Sequence, residues 1–212
     1  MLRRFNEHFT EWVLHACREW GFAEPAGSFY ERVYARIPEG VRYLLGQGLQ
    51  EGIIIPQGHR FSLKGLAANR GPFSWFSRYS AAREPSPNWE YFPHVALYSQ
   101  LYTPLTSRGL ALVFHDEHID LAIYAGDRLL VYIEVKEKAE KLQALMAGIK
   151  RYQTAIDLSA PDRGNDPLRK AKCIINGRPD YFCGYAIGAR FDYKVHVSNN
   201  SFRLEADVIP WM

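Results

Sequence analysis

Residues 118–136 read HIDLAIYAGDRLLVYIEVK, two strand-length runs around the turn signal Gly126-Asp127. Side chains two apart share a face of a strand. Leu121, Ile123, Val131, Ile133 and Val135 are apolar, and so are most residues that alternate with them, Ala122, Tyr124, Leu130 and Tyr132. A hairpin that is apolar on both faces has no side to offer to water. It has to lie inside a sheet covered by another layer on each side. The flanking segments supply such layers. A helix is expected to Tyr102, starting near Pro93 or a turn earlier, since proline is tolerated only in the first turn. Strands are expected over 110–114, 119–125 and 129–136, then a helix over 137–157 with Ala139, Leu142, Met146, Ile149, Tyr152 and Ile156 on one side. A polar loop at 159–167 leads to strands near 172–176, 181–188, 190–197 and 202–209, with Asn199-Asn200 as a hairpin turn. The expected class is α/β (α+β): a central mixed β-sheet flanked by helices, with a helical N-terminal region.

The same hairpin carries charge where its apolar pattern ends. With a loop of Gly126-Asp127-Arg128, Ala125 faces Leu129 and the register sets Asp120 opposite Glu134, with Lys136 one step beyond on that face. An even-numbered loop would put the two acids on opposite faces. Carboxylates directly across a ladder have roots about 5 Å apart and repel each other. Buried charges need partners. A divalent cation held by both acids reverses the sign of the interaction, and Mg²⁺ favours sites of one or two carboxylates completed by water and phosphate. Lys136 would then hold the attacking water or stabilise charge in the transition state. The plainer alternative is a Glu–Lys pair at a strand end, with Asp120 capping the preceding turn.

The N-terminal part reads differently. Helices are expected over 3–20, 28–37 and 39–50, with Phe5, Phe9 and Trp12 on one side of the first, and GIIIPQGHRFSLKG (52–65) reads as two short strands. Three helices and a hairpin suit a winged helix, or simply a cover for the main sheet. Residues 59–83 hold five Lys/Arg and no acid, interleaved with Phe61, Phe73, Trp75, Phe76 and Tyr79. Arg60, Lys64, Arg70 and Arg78 suit phosphates and Trp75 suits an unpaired base; equally, the aromatics are core and the cations a solvated edge. The loop EPSPN that follows divides the chain into 1–83 and 84–212.

Charge is uneven: residues 86–137 carry −4 and residues 138–172 carry +4 within a total of +3. An acidic cation site beside a basic phosphate-binding surface is one reading, with Lys138, Lys150 and Arg151 on the long helix tracking a backbone; ordinary solvated faces are the other. Residues 114–120, FHDEHID, invite a transition-metal reading, but His115 and His118 fall on opposite faces of a continuous strand, and a tight turn fits better. His118 precedes Asp120 by two and so can approach the same edge. No stretch has the length and apolarity of a membrane span, and three widely spaced cysteines suit reduced thiols in a cytoplasmic location. Glycine-rich phosphate loops and GxSxG are absent.

Asp120, then Glu134-Val135-Lys136 at the end of an apolar strand, then a basic amphipathic helix, resembles the PD-(D/E)XK nuclease superfamily over roughly residues 84–190. Ile119 stands where the motif has proline, and Gln143 and Tyr152 lack the spacing of RecB-type members. The resemblance implies a restriction-endonuclease-like core that hydrolyses nucleic acid with Mg²⁺, or Mn²⁺ as substitute, and places DNA ahead of RNA. Asp120, Glu134 and the Val135 carbonyl would hold the metal, Lys136 would orient or activate water, and Glu90 would add an acid from the preceding helix. A homodimer or a partner protein of a defence or repair system is a further expectation. The competing expectation is a non-catalytic nucleic-acid-binding or assembly module that retains the nuclease fold.

Overall fold

The computed structural model describes residues 1–67, 69–78, 83–154, 156–210 and 212, and Tyr79 lies outside them. The chain forms two compact units, Met1–Tyr102 and Thr103–Met212. The first unit begins with α1 (Leu2–Trp20), α2 (Gly27–Arg36) and α3 (Glu39–Gln50). Gly21 stops α1 by adopting a left-handed conformation, φ 69°, that costs glycine nothing. Next come β1 (Ile54–Gln57), β2 (Arg60–Leu63) and β3 (Phe73–Ser74), an antiparallel sheet in the order β1-β2-β3. The short pair β4 (Phe76–Ser77) and β5 (Ser86–Pro87) leads into α4 (Tyr91–Thr106). Pro93 sits in the first turn of α4, but the helix passes Tyr102 and tolerates Pro104 near its end. No helix of the described residues is long and apolar enough to cross a membrane.

Aromatic rings build the core of the first unit. Trp75 stacks on Trp12, Phe61 and Phe92 at centroid distances of 4.8, 4.1 and 5.2 Å. Each of these four side chains is fully or almost fully buried.

The second unit contains β6 (Ala111–Asp116), β7 (Ile119–Ala125), β8 (Arg128–Lys136), α5 (Ala139–Lys150), α6 (Asp166–Gly177), β9 (Tyr181–Ala186), β10 (Ala189–Ser198) and β11 (Ser201–Ala206). Its six strands lie in the order β11-β10-β9-β8-β7-β6. All neighbours are antiparallel except β8 and β9, which are joined through α5 and α6 and run parallel. The expected central mixed sheet flanked by helices is therefore present. Leu142, Met146 and Ile149 of α5 and Ala171 and Ile174 of α6 form one core with Tyr132, Phe182 and Phe202 of the sheet. Val131, Ile133 and Val135, on the other face of β8, are also buried. Asn199, at φ 48°, and Asn200 make the expected two-residue turn between β10 and β11.

Two expectations fail here. The long helix ends at Lys150 instead of running to 157; Tyr152 lies in a turn and Ala155 outside the described residues. Residues 172–176 are the end of α6, not a strand. The Asn165 side chain caps this helix by accepting from the Leu168 N–H at 3.2 Å, and Pro167 occupies the first turn. Those signals outrank the β-branched Ile174-Ile175, which bury against the sheet as part of a helical stripe.

Candidate active site

The site starts from the β7–β8 hairpin. Ala125 pairs with Arg128, so the loop is the two residues Gly126-Asp127, not three. Gly126 takes φ 57°, as the twist-matched short turns require. That even loop would by itself separate the acids. A bulge corrects it: Tyr124 pairs with Leu129 and Ile123 with Val131, which leaves Leu130 as an extra residue. From there Ala122 pairs with Tyr132 and Leu121 with Ile133, and the next step brings Asp120 beside Glu134. The expected register is reached by a different route.

Lys136 Nζ lies 3.4 Å from Glu134 Oε2 and 3.7 Å from Asp120 Oδ2. Asp120 Oδ2 also accepts the Val135 N–H at 2.8 Å. The other oxygen of Glu134 is held from behind, by the Tyr132 hydroxyl at 2.6 Å and by Lys170 Nζ at 2.7 Å. Lys170 donates as well to the His118 carbonyl, the last group before β7. Glu134 is 0% exposed and Lys170 5%, whereas the Lys136 side chain keeps 26% of its surface. The strand partner of Glu134 on β9 is Gly184. A Cβ there would stand 3.0 Å from Leu142 Cδ1 and 3.2 Å from Met146 Sδ, so glycine lets α5 close over the carboxylate.

Burial pushes the Glu134 carboxyl up to about 7, with the Asp120 charge adding to it and Lys170 and Lys136 pulling back. For Lys136 burial opposes the charge, but Glu134, Asp120 and Asp166 outweigh it and hold the ammonium above its usual range. The two partners of one ion pair thus both move up. The reason is position: Glu134 is fully desolvated, while Lys136 reaches water. The Tyr132 hydroxyl is pushed well above its usual range by burial and by Glu134.

The pair of acids fits the expected cation. One ammonium, that of Lys136, reaches both carboxylates within 4 Å, so a single cation can be shared between them. Among the described residues no three His, Cys, Asp or Glu gather to hold a metal without help. Two carboxylates completed by water and substrate oxygen match Mg²⁺ better than a zinc set.

The remaining expected residues scatter. Glu90 is exposed just ahead of α4, in the first unit. Trp75 cannot stack on a base, because it is 0% exposed and its faces are taken by other rings. Arg60 pairs with Glu19 at 2.7 Å, Lys64 lies 6.0 Å from the Tyr102 ring, Arg78 is exposed and Arg70 half-buried. Lys138, Lys150 and Arg151 are exposed at the two ends of α5. Glu117 and His118 make the two-residue turn between β6 and β7, across which Asp116 pairs with Ile119; His115 and Glu117 have φ of 51° and 52°, and Asp116 accepts from the Tyr124 hydroxyl. A cavity of about 540 Å³, lined by Ile119, Tyr124, Arg169 and Asn176 among others, lies beside this turn and does not include Asp120, Glu134 or Lys136.

Lys170 is the participant that the sequence reading missed. It sat in the gap between an expected loop and an expected strand. Asn165-Asp166-Pro167, a cap, an acid and a first-turn proline, followed by Leu168, Ala171 and Ile174 at helical spacing, is the signal that finds it. Compared with known protein families, curated proteins and solved structures, the chain matches none.

Proposed function

We propose that this chain is a Mg²⁺-dependent nuclease that hydrolyses phosphodiester bonds, with DNA as the first substrate to test and endonucleolytic cleavage ahead of exonucleolytic. The observation that carries the reading is the meeting of Asp120, Glu134 and Lys136 where β7 begins and β8 ends, within reach of a single cation. They lie at the carboxyl end of β8, beside its parallel neighbour β9, the side of a sheet where ligands bind in open α/β folds. A bound Mg²⁺, held by Asp120, Glu134 and the Val135 carbonyl, would supply Lewis-acid stabilisation of charge on the phosphate.

The protein's own groups do the rest. The Val135 N–H fixes Asp120, and Tyr132 and Lys170 fix the inner oxygen of Glu134. Lys136, the most exposed of the set, orients the attacking water or a nonbridging phosphate oxygen. Water oxygen bonds to phosphorus as the bond to the leaving oxygen breaks; the attacking water releases a proton to solvent, and the departing alkoxide takes one up from it. A cytoplasmic setting and a homodimer or a partner from a defence or repair system belong to the same proposal.

One observation favours the second reading, a binding or assembly module. Two carboxylates and two ammonium groups balance within the cluster, as they would in a purely structural salt-bridge network. Cleavage assays separate the two. Plasmid, single-stranded DNA and RNA are incubated with Mg²⁺, Mn²⁺ or EDTA, beside Asp120→Asn and Lys136→Ala. Metal-dependent cleavage by the wild type, lost by at least about 100-fold in both folded variants, is expected for the nuclease. Binding without cleavage, indifferent to EDTA and to both substitutions, assigns the module.

A further inference from the structure

We propose that a groove in the first unit seats one unpaired nucleotide of a single-stranded nucleic acid, with its base laid on Arg36 and its phosphate on Arg32. Such a seat goes beyond cleavage and uses none of the groups around Glu134. The groove, of about 400 Å³, lies between α2 and the segment 84–89. Phe29 and Val33, both almost fully buried, supply apolar lining from α2. Arg32 and Arg36, one helical turn apart on the same helix, line it as well, and both are exposed. The Arg36 guanidinium lies over the Trp89 ring, 3.8 Å from its centroid. That contact occupies one face of a flat cation and holds it against the indole. A base, also flat, extends the stack from the solvent side, since bases stack on guanidinium planes as they do on aromatic rings.

Arg32 takes the phosphate. It pairs with Glu84 at 3.2 Å, through side chains that are 63% and 33% exposed. Exposed pairs of this kind are weak. A phosphate offers the arginine fork two oxygens at once, and Glu84, already in contact with water, is not left buried by the exchange. Net charge does not draw the ligand in: Arg32 and Arg36 against Glu84, with the exposed sequence neighbours Glu31, Arg83 and Glu90, sum to zero. One phosphate is held, by direct contact. An extended peptide finds less here, because Pro85 and Pro87 have no N–H to donate from the groove wall. A base inside a duplex cannot enter the stack, because its faces are covered by its neighbours.

Fluorescence anisotropy of the full chain in EDTA compares a short labelled oligothymidylate with an abasic strand of the same length and with the duplex. The oligothymidylate is expected to bind at least about fivefold tighter than the abasic strand, which keeps the phosphates and lacks the bases. Arg36→Lys keeps the charge but loses the plane, and is expected to remove most of that difference. Arg32→Gln is expected to lower the log–log salt slope by about 0.7, the share of one phosphate on a single strand. Both side chains are exposed, so both variants are expected to fold as wild type. Equal binding of base-bearing and abasic strands overturns the proposal, and so does a duplex that binds as tightly as the single strand. An Arg36→Lys variant that discriminates as well as wild type, or an unchanged salt slope in Arg32→Gln, overturns it too. None of these outcomes touches the nuclease reading, since Asp120, Glu134 and Lys136 are intact in every protein used. Metal-dependent cleavage is scored separately, and its absence beside base-dependent binding removes the nuclease reading and leaves the groove standing.

Discussion

Glu134 has no exposed surface, yet it carries two ammonium groups and a phenol on its two oxygens. Its carboxyl is pushed up to about 7 from an ordinary 4.5. Between those values the folded chain binds more protons at this residue than the unfolded chain does. Without metal, Glu134 therefore lowers stability as pH rises through that window, by up to about 1.4 kcal/mol per pH unit. In EDTA, urea midpoints of wild type and Glu134→Gln are expected to move apart in favour of the glutamine from about pH 5 to 7; parallel curves would mean that the two lysines cancel the cost of burial. Trp75 illustrates the opposite lesson. A basic and aromatic stretch reads equally as a base-stacking surface or a core, and only contact with Trp12 and Phe92, distant in sequence, settles it as core. Trp75→Ala is expected to cost about 3–5 kcal/mol by urea unfolding; a loss under about 1 kcal/mol would contradict its place in the core.

Among the elements, α6 matters most because it delivers Lys170. It meets α5 where Gly148 faces Pro167: a Cβ on Gly148 would stand 2.7 Å from the Pro167 ring. Alanine in a helix interior ordinarily gains about 1 kcal/mol over glycine. Here the rigid ring cannot yield, and overpacking costs about 1–3 kcal/mol. Gly148→Ala is expected to lower the unfolding midpoint; a raised one would show that the two helices separate freely. The β7–β8 hairpin was legible in the sequence in its pairing from Ile123 and Val131 toward the charged end, but not near the turn, where Tyr124 pairs with Leu129 and Ala125 with Arg128 instead of Leu130 and Leu129. Short loops favour two residues for their twist, and the bulge at Leu130 then restores the alignment. The two deviations compensate because burial on both faces punishes any slip.

For the molecule as a whole, a net charge of +3 is too small to pull in nucleic acid without a local concentration of cations. Lys138, Lys150 and Arg151 are exposed on or next to α5. If they neutralise phosphates, replacing all three with glutamine lowers the salt dependence of DNA binding by about 0.9 in the log–log slope for each phosphate set free. Fluorescence anisotropy across a series of NaCl concentrations measures it, and an unchanged slope takes this helix out of the interface. Read alone, the sequence determined the mixed α/β class, the helices of the first unit, the interior hairpin and the trio Asp120, Glu134 and Lys136. These follow from periodicity and spacing, which act between near neighbours in the chain. The tertiary structure alone decided that Trp75 is core and that Lys170 completes the charge of Glu134. Each depends on residues brought together from far apart, 63 positions for Trp12 and Trp75 and 36 for Glu134 and Lys170. No local pattern encodes such a meeting; it exists only once the helices close on their sheets and leave a buried group no partner but the one that arrives there.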